Sequence, residues 1–299
     1  MSRLVEACAA CGSRSLVPYR KVKGETGADG LAPTNKQFGT ALGDIVRCTE
    51  CTHQQLDRFP DEDELAAAYE EAASDDYVEE EAGQRASFAA VLERVERHVS
   101  KGRILDIGCW VGFLLAEARD RGWSEGVGVE PSSFASAYAR ERLGLDVRQE
   151  DLLDADLPLA HFDAVCMGDV LEHLTDTDKA LTRMRELLAP GGVLVLAVPD
   201  AGSRIAKILG KRWWSVIPTH IHYFTRQSLT TMLERAGFEV LDAATDPKSF
   251  TIEYYLDKGS GYLPGVSKAL VRAARKLKVA DRMWTPDFRD RLLVIARPT

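Results

Sequence analysis

The stretch that most constrains this chain is Ile104-Leu-Asp-Ile-Gly-Cys-Trp-Val-Gly112. An apolar run ends at Asp106, turns through Gly108 and Gly112, and opens a helical pattern at Phe113-Leu-Leu-Ala-Glu-Ala-Arg119. A buried strand, a glycine turn and a helix start in that order form a cradle for a nucleotide-like cofactor. The two glycines let the backbone turn sharply and approach a ligand with no Cβ in the way. Trp110 and Val111 between them break the G-x-G-x-x-G pattern, and no Gly-Lys-Ser/Thr follows. The turn therefore suits a cofactor without phosphate better than a pyrophosphate.

Strand and helix patterns alternate from Arg103 onward. Buried strands are predicted at 103–107, 126–130, 145–149, 162–167 and 192–198, with two more at 238–244 and 291–297. Helices fall at about 112–121, 132–142, 177–188 and 227–236. Phe88, Val91, Leu92, Val95 and Val99 add an amphipathic helix over 84–99 that packs on the sheet. This alternation predicts an α/β fold: a Rossmann-like doubly wound sheet of seven strands with helices on both faces. Right-handed crossovers then place the cofactor at the carboxyl ends of the strands.

The chain has 299 residues and is 45% hydrophobic, enough for one large core and a small appendage. Its formal charge of −8 argues against a general nucleic-acid binder, whose footprint is basic. No run approaches the roughly 18 apolar residues of a membrane span, and the N-terminus lacks an apolar signal core. A cytoplasmic protein with reduced thiols is expected.

Four of the six cysteines form two pairs, Cys8-Ala-Ala-Cys11 and Cys48-Thr-Glu-Cys51. Each pair can aim two thiolates at one tetrahedral metal. The Gly-, Thr-, Asp- and Pro-rich stretch between them cannot pack a core, so a metal would supply the missing stability. A small N-terminal zinc ribbon with Cys8, Cys11, Cys48 and Cys51 as ligands is expected, structural because all four positions are filled. A redox dithiol is the rival. The domain reading is a ribbon over 1–58, a helical linker or lid over 59–100, and a catalytic domain over 101–299. Residues 61–81 carry eleven acids and no Lys or Arg, as a solvated helix face would.

Several segments carry a family resemblance. Asp106-Ile-Gly-Cys109-x-x-Gly112 resembles the first motif of class I S-adenosylmethionine-dependent methyltransferases, with Trp110 in place of the middle glycine. Gly126-Val-Gly-Val-Glu130-Pro131 ends the second strand with an acid able to accept from both ribose hydroxyls. Asp151, beside Leu152, resembles the family's adenine-binding acid; Glu150 and Asp154 are alternatives. Phe162–Leu174, with Glu172-His173-Leu174, resembles the fourth-strand segment and puts Met167 and Gly168 near the methionine part of the cofactor. Leu188-Ala-Pro-Gly-Gly192 resembles the turn into the fifth strand. Tyr77 is the family's expected lid contact.

Trp213-Trp214 and His220-Ile-His222-Tyr-Phe-Thr225 resemble a segment of small-molecule methyltransferases, sugar enzymes among them. An alcohol must lose its proton to accept a methyl group, so His220, with His222 second, is the expected base. A basic helical insert over about 247–289 precedes the last strand; it suits an anionic or carrier-linked acceptor. The resemblance implies methyl transfer to a small-molecule hydroxyl. The rivals are a methyltransferase docking RNA or protein through the ribbon, and a non-catalytic binding module.

Overall fold

A computed structural model describes residues 3–22, 38–70, 78–151, 153 and 155–299. Near the N-terminus, strands β1 (Leu16–Arg20), β2 (Ile45–Cys48) and β3 (Gln54–Leu56) form an antiparallel sheet. The knuckles holding Cys8–Cys11 and Cys48–Cys51 lie at its end. Helix α1 (Glu62–Glu70) follows, then α2 (Glu81–Val95).

The expected alternation is present. It runs β4 (Arg103–Ile107), α3 (Phe113–Asp120), β5 (Glu125–Val129), α4 (Ser133–Leu143) and β6 (Asp146–Arg148). It continues with β7 (Phe162–Gly168), α5 (Thr177–Leu187), β8 (Leu188–Pro199) and α6 (Arg204–Leu209). Strand β9 (His222–Tyr223), helix α7 (Arg226–Arg235) and strand β10 (Phe238–Thr245) come next. Helices α8 (Ile252–Lys258) and α9 (Pro264–Lys276) form the insert, and β11 (Arg291–Pro298) is last.

Seven strands make the main sheet in the order β6-β5-β4-β7-β8-β11-β10. Only β11 runs antiparallel to its neighbours. Strand order reverses at β4, so the crevice opens at the carboxyl ends of β4 and β7. Side chains alternate between two cores, as a sheet covered on both faces requires. Leu105, Ile107, Val165, Leu194 and Leu196 pack with α5 and α7. Ile104, Ala164, Val193, Val195 and Ile295 pack with α2 and α3. The cysteine knuckles join the first of these cores.

Strand β9 escapes the periodicity signal, being two residues long. It pairs antiparallel with β3, His222 opposite Gln55 and Tyr223 opposite Gln54, and so supplies the fourth strand of the N-terminal sheet. No helix among the described residues is long and apolar enough to cross a membrane.

Candidate active site

The crevice begins with the glycine turn. Gly108 has φ +66° and Gly112 φ +83°. A Cβ at Gly108 would lie 2.4 Å from Val170 Cγ2, and one at Gly112 2.5 Å from Leu145 Cδ1. Both positions therefore require glycine on conformation and on space. Trp110 also takes a left-handed conformation, φ +49°, which costs a side-chain-bearing residue about 1 kcal/mol. Its ring packs toward Phe134, 6.4 Å between centroids. Cys109 is buried, with Sγ placed where a Cβ on Gly128 would come within 2.6 Å.

Glu130, at the end of β5, fastens this turn. Its two oxygens accept from the backbone amides of Trp110 and Ser132, each at 2.9 Å. Burial pushes its carboxyl up, against the pull of those two amides. Asp106 is 5% exposed, and burial, then the nearby Glu130 charge, push its carboxyl up to about 8. Pro131, Asp151, Met167 and Gly168 line the same crevice. Asp151 Oδ1 accepts from the Leu153 amide at 2.9 Å. Tyr77, Leu152 and the alternative Asp154 lie outside the described residues.

Beyond Gly168 the wall is charged. Asp169, at φ +57°, meets Nη2 of Arg291 through both oxygens, at 2.7 and 2.8 Å. Arg291 Nε also donates to Asp246 at 3.1 Å, and Lys248 reaches the same carboxylate at 2.9 Å. The cleft measures about 3000 Å³. Single small-ligand pockets occupy roughly 300–1,000 Å³, so a cofactor and an acceptor fit together.

The lining also holds His173 and His220, whose rings meet edge to face at 4.6 Å. His173 Nδ1 lies 2.9 Å from the Thr219 carbonyl and 2.6 Å from Tyr69 Oη. Glu172 lies behind them, 1% exposed; burial first and then Asp169 push its carboxyl up to about 8. Burial holds His220 neutral, well below the ordinary imidazole range.

The expected second base is placed elsewhere. His222 is not in the cleft lining: Nε2 donates to the Leu174 carbonyl at 3.0 Å, and Nδ1 faces His53 Nε2 at 3.2 Å. With both nitrogens engaged in the core it has no route to an acceptor. Tyr69 and Arg291 were not singled out from the sequence as site residues. The Glu172-His173 pair beside the fourth strand was the available signal; Arg291 joins only through the fold.

The four cysteine sulfurs lie within 4.8 Å of one another, Cys8 to Cys51 at 3.5 Å and Cys11 to Cys48 at 3.6 Å. Thiolates around a tetrahedral zinc stand about 3.8 Å apart, from a Zn–S bond of ~2.3 Å. Burial pushes the Cys8 thiol up, and Cys51 up to about 12, so bare thiolates are costly there. At Cys48 burial also raises the thiol, but amides of Cys51 and Glu50 outweigh it. Gln55 braces the first knuckle, accepting from the Ala9 amide at 2.9 Å and donating to the Ala7 carbonyl at 3.0 Å. The cluster fits a zinc ribbon.

A family model described as a methyltransferase domain matches residues 78–243, more than half of the chain. A probable S-adenosylmethionine-dependent methyltransferase of Mycolicibacterium smegmatis is 31% identical over 156 residues, covering 51% of this chain and 58% of that protein. A ubiquinone biosynthesis O-methyltransferase of Cereibacter sphaeroides is 32% identical over 152 residues, 47% of this chain and 61% of that protein. The matched stretch thus spans about three fifths of these relatives. In fold, the chain is similar to a methyltransferase of Thermotoga maritima, a possible histamine N-methyltransferase. That match has 19% identity and a TM-score of 0.50, covering 75% of this chain and 95% of that one. A putative methyltransferase solved with the Haloferax volcanii Trm112 activator matches at 16% identity and a TM-score of 0.52, covering 73% and 92%.

Proposed function

Since the chain belongs to the class I S-adenosylmethionine-dependent methyltransferases, we propose that it methylates a hydroxyl group of a small-molecule acceptor. The observation that carries this reading is one cleft with two unlike parts to its lining. The backbone turn of Gly108, Cys109 and Gly112 lines it beside Asp106 and Glu130. Neutral imidazole groups line it as well, and its volume admits two ligands.

We place the cofactor on Asp106, Gly108, Cys109, Gly112, Glu130, Pro131, Asp151, Met167 and Gly168. S-adenosylmethionine, when bound, supplies the electrophilic methyl group. The protein's part is to hold the acceptor in line, exclude water and remove the hydroxyl proton. Of the two histidines expected for that last step, we keep only His220 at the acceptor. The O-methyltransferases among the relatives support oxygen as the acceptor atom. Lys258 and Lys278 border the cleft beside Glu253, Asp257 and Asp281, so its charge does not favour an anionic or carrier-linked acceptor over a neutral one. We assign structural zinc to Cys8, Cys11, Cys48 and Cys51. The division 1–58, 59–100 and 101–299 is our working domain plan.

Purified protein with labelled S-adenosylmethionine and a panel of phenol, sugar and amine acceptors tests the reading. The expected product gains one methyl group on oxygen. His220→Ala should lower kcat by at least about a hundredfold while cofactor affinity holds within about twofold. Label recovered only in RNA or protein would overturn the small-molecule reading. Absence of cofactor binding in calorimetry would overturn the enzyme.

A further inference from the structure

Glu172, His173 and His220 share an arrangement that the methyltransferase reading leaves unexplained. Among the described residues, neither carboxylate oxygen of Glu172 meets a hydrogen-bond donor, and Nδ1 of His220 has no partner. Glu172 is 1% and His220 8% exposed. A buried carboxylate and a buried ring nitrogen with nothing to bind are costly, each losing its hydration without return. The two nearest cations are already engaged: Arg291 on Asp169 and Asp246, and Lys248 on Asp246.

The ring nitrogens give the second observation. In His173 it is Nδ1 that is engaged, 2.9 Å from the Thr219 carbonyl and 2.6 Å from Tyr69 Oη. In His220 it is Nδ1 that has no partner. Engaging one ring nitrogen and leaving the other open is how proteins orient imidazoles that ligate a metal. One ligand atom from each of Glu172, His173 and His220 lies within 4.8 Å of the other two. The pairing of Ile221 amide with Glu172 carbonyl, 3.0 Å, locks the two segments that carry them.

We propose that Glu172, His173 and His220 bind a divalent cation at the wall of the cleft. Two imidazoles and one carboxylate favour a zinc-, cobalt- or manganese-class ion over calcium or magnesium. Three protein ligands leave coordination positions open, unlike the closed four-cysteine cluster. His173 and His220 line the cleft, so the open positions face the acceptor. The proposal rests on the O-methylation reading and deepens it: the cation receives the acceptor hydroxyl and lowers its proton affinity. The proton leaves to water. The oxygen–methyl bond then forms as the methyl–sulfur bond breaks, and the bonding pair stays on sulfur. With the cation bound His220 is a ligand, and this replaces the proton-accepting role proposed for it on the metal-free site.

The test uses full-length protein stripped by chelation and titrated with Co²⁺. Wild type should bind two equivalents: one with the strong thiolate charge-transfer absorption of the cysteine cluster, one with only weak visible bands. Glu172→Gln and His220→Asn should each lose the second, by more than about tenfold in affinity, while cofactor affinity stays within about twofold. Glu172→Asp should recover part of it. The two substitutions lie on different segments, so one misfolded variant leaves the other to decide. A single thiolate-type equivalent in wild type, or a second equivalent unchanged in both variants, overturns the site. Methylation that proceeds fully in the stripped protein overturns the cation's role and leaves the proposed function standing. Metal bound as described without methyl transfer to any hydroxyl overturns the proposed function instead.

Discussion

Asp106 is a carboxyl whose own charge is expensive. In the unfolded chain it ionises near 3.8, whereas burial and then Glu130 hold it protonated up to about 8 in the fold. The native state therefore binds the extra proton. Its contribution to stability is fully present below pH 3.8 and is lost as pH rises toward about 8. A cationic cofactor placed against Asp106 favours the carboxylate, so binding at neutral pH should release a proton. Cofactor affinity should rise with pH, approaching tenfold per unit, and level off above about 8. Calorimetry in two buffers of different ionisation enthalpy measures the proton release. Asp106→Asn should abolish both the release and the slope; an unchanged slope would place the titrating group elsewhere.

At the scale of elements, α2 shows how packing overrules propensity. Gly83 lies inside this helix, where alanine would be favoured by about 1 kcal/mol. A Cβ there would come 2.2 Å from the Ser249 backbone oxygen, in the segment that follows β10. The close approach is fixed by Ser87, whose hydroxyl donates to the Gly83 carbonyl at 2.9 Å and accepts from the Ser249 amide at 2.8 Å. Arg94 adds two contacts to Asp242 on β10, at 2.6 and 3.2 Å. Gly83→Ala should thus destabilise the protein by about 1–3 kcal/mol, because backbone must shift. Thermal unfolding checks it; a melting temperature at or above wild type would show that the α2 contact is looser than described.

At the scale of the molecule, the cysteine cluster and the candidate site are parts of one assembly. Strand β9 is hydrogen-bonded into the N-terminal sheet, and His220 stands two residues before it. His53 meets His222, and Thr52 meets Thr225 at the start of α7 at 2.8 Å. Losing the metal should loosen β9 and with it the cleft wall around His220. Cys48→Ser should bind less zinc, unfold several degrees earlier and transfer methyl groups at least about tenfold more slowly. Elemental analysis with melting and rate measurements tests the coupling. Full activity in zinc-free, folded protein would show that the ribbon is independent.

The order of strands and helices was legible along the chain because it depends on local pattern. Apolar runs such as Ile104–Ile107 and Val193–Val198 need only their neighbours to declare themselves. The glycine turn was legible for the same reason, since φ +66° and +83° leave few residues to choose from. Contacts between distant residues carry no such periodic signal. Arg291 reaches Asp169 across 122 positions, and Tyr69 reaches His173 across 104. His220 and His222 read alike in sequence, and two residues apart in one regular strand they would share a face; His220 instead closes the turn at Pro218–Thr219, its amide donating to the Ile217 carbonyl at 3.1 Å, before β9 begins at His222. Strand pairing at β9 puts His222 against His53 in the core, while His220 faces the cleft. Local sequence determined which elements form; the tertiary pairing of β9 with β3 decided which histidine faces the cleft.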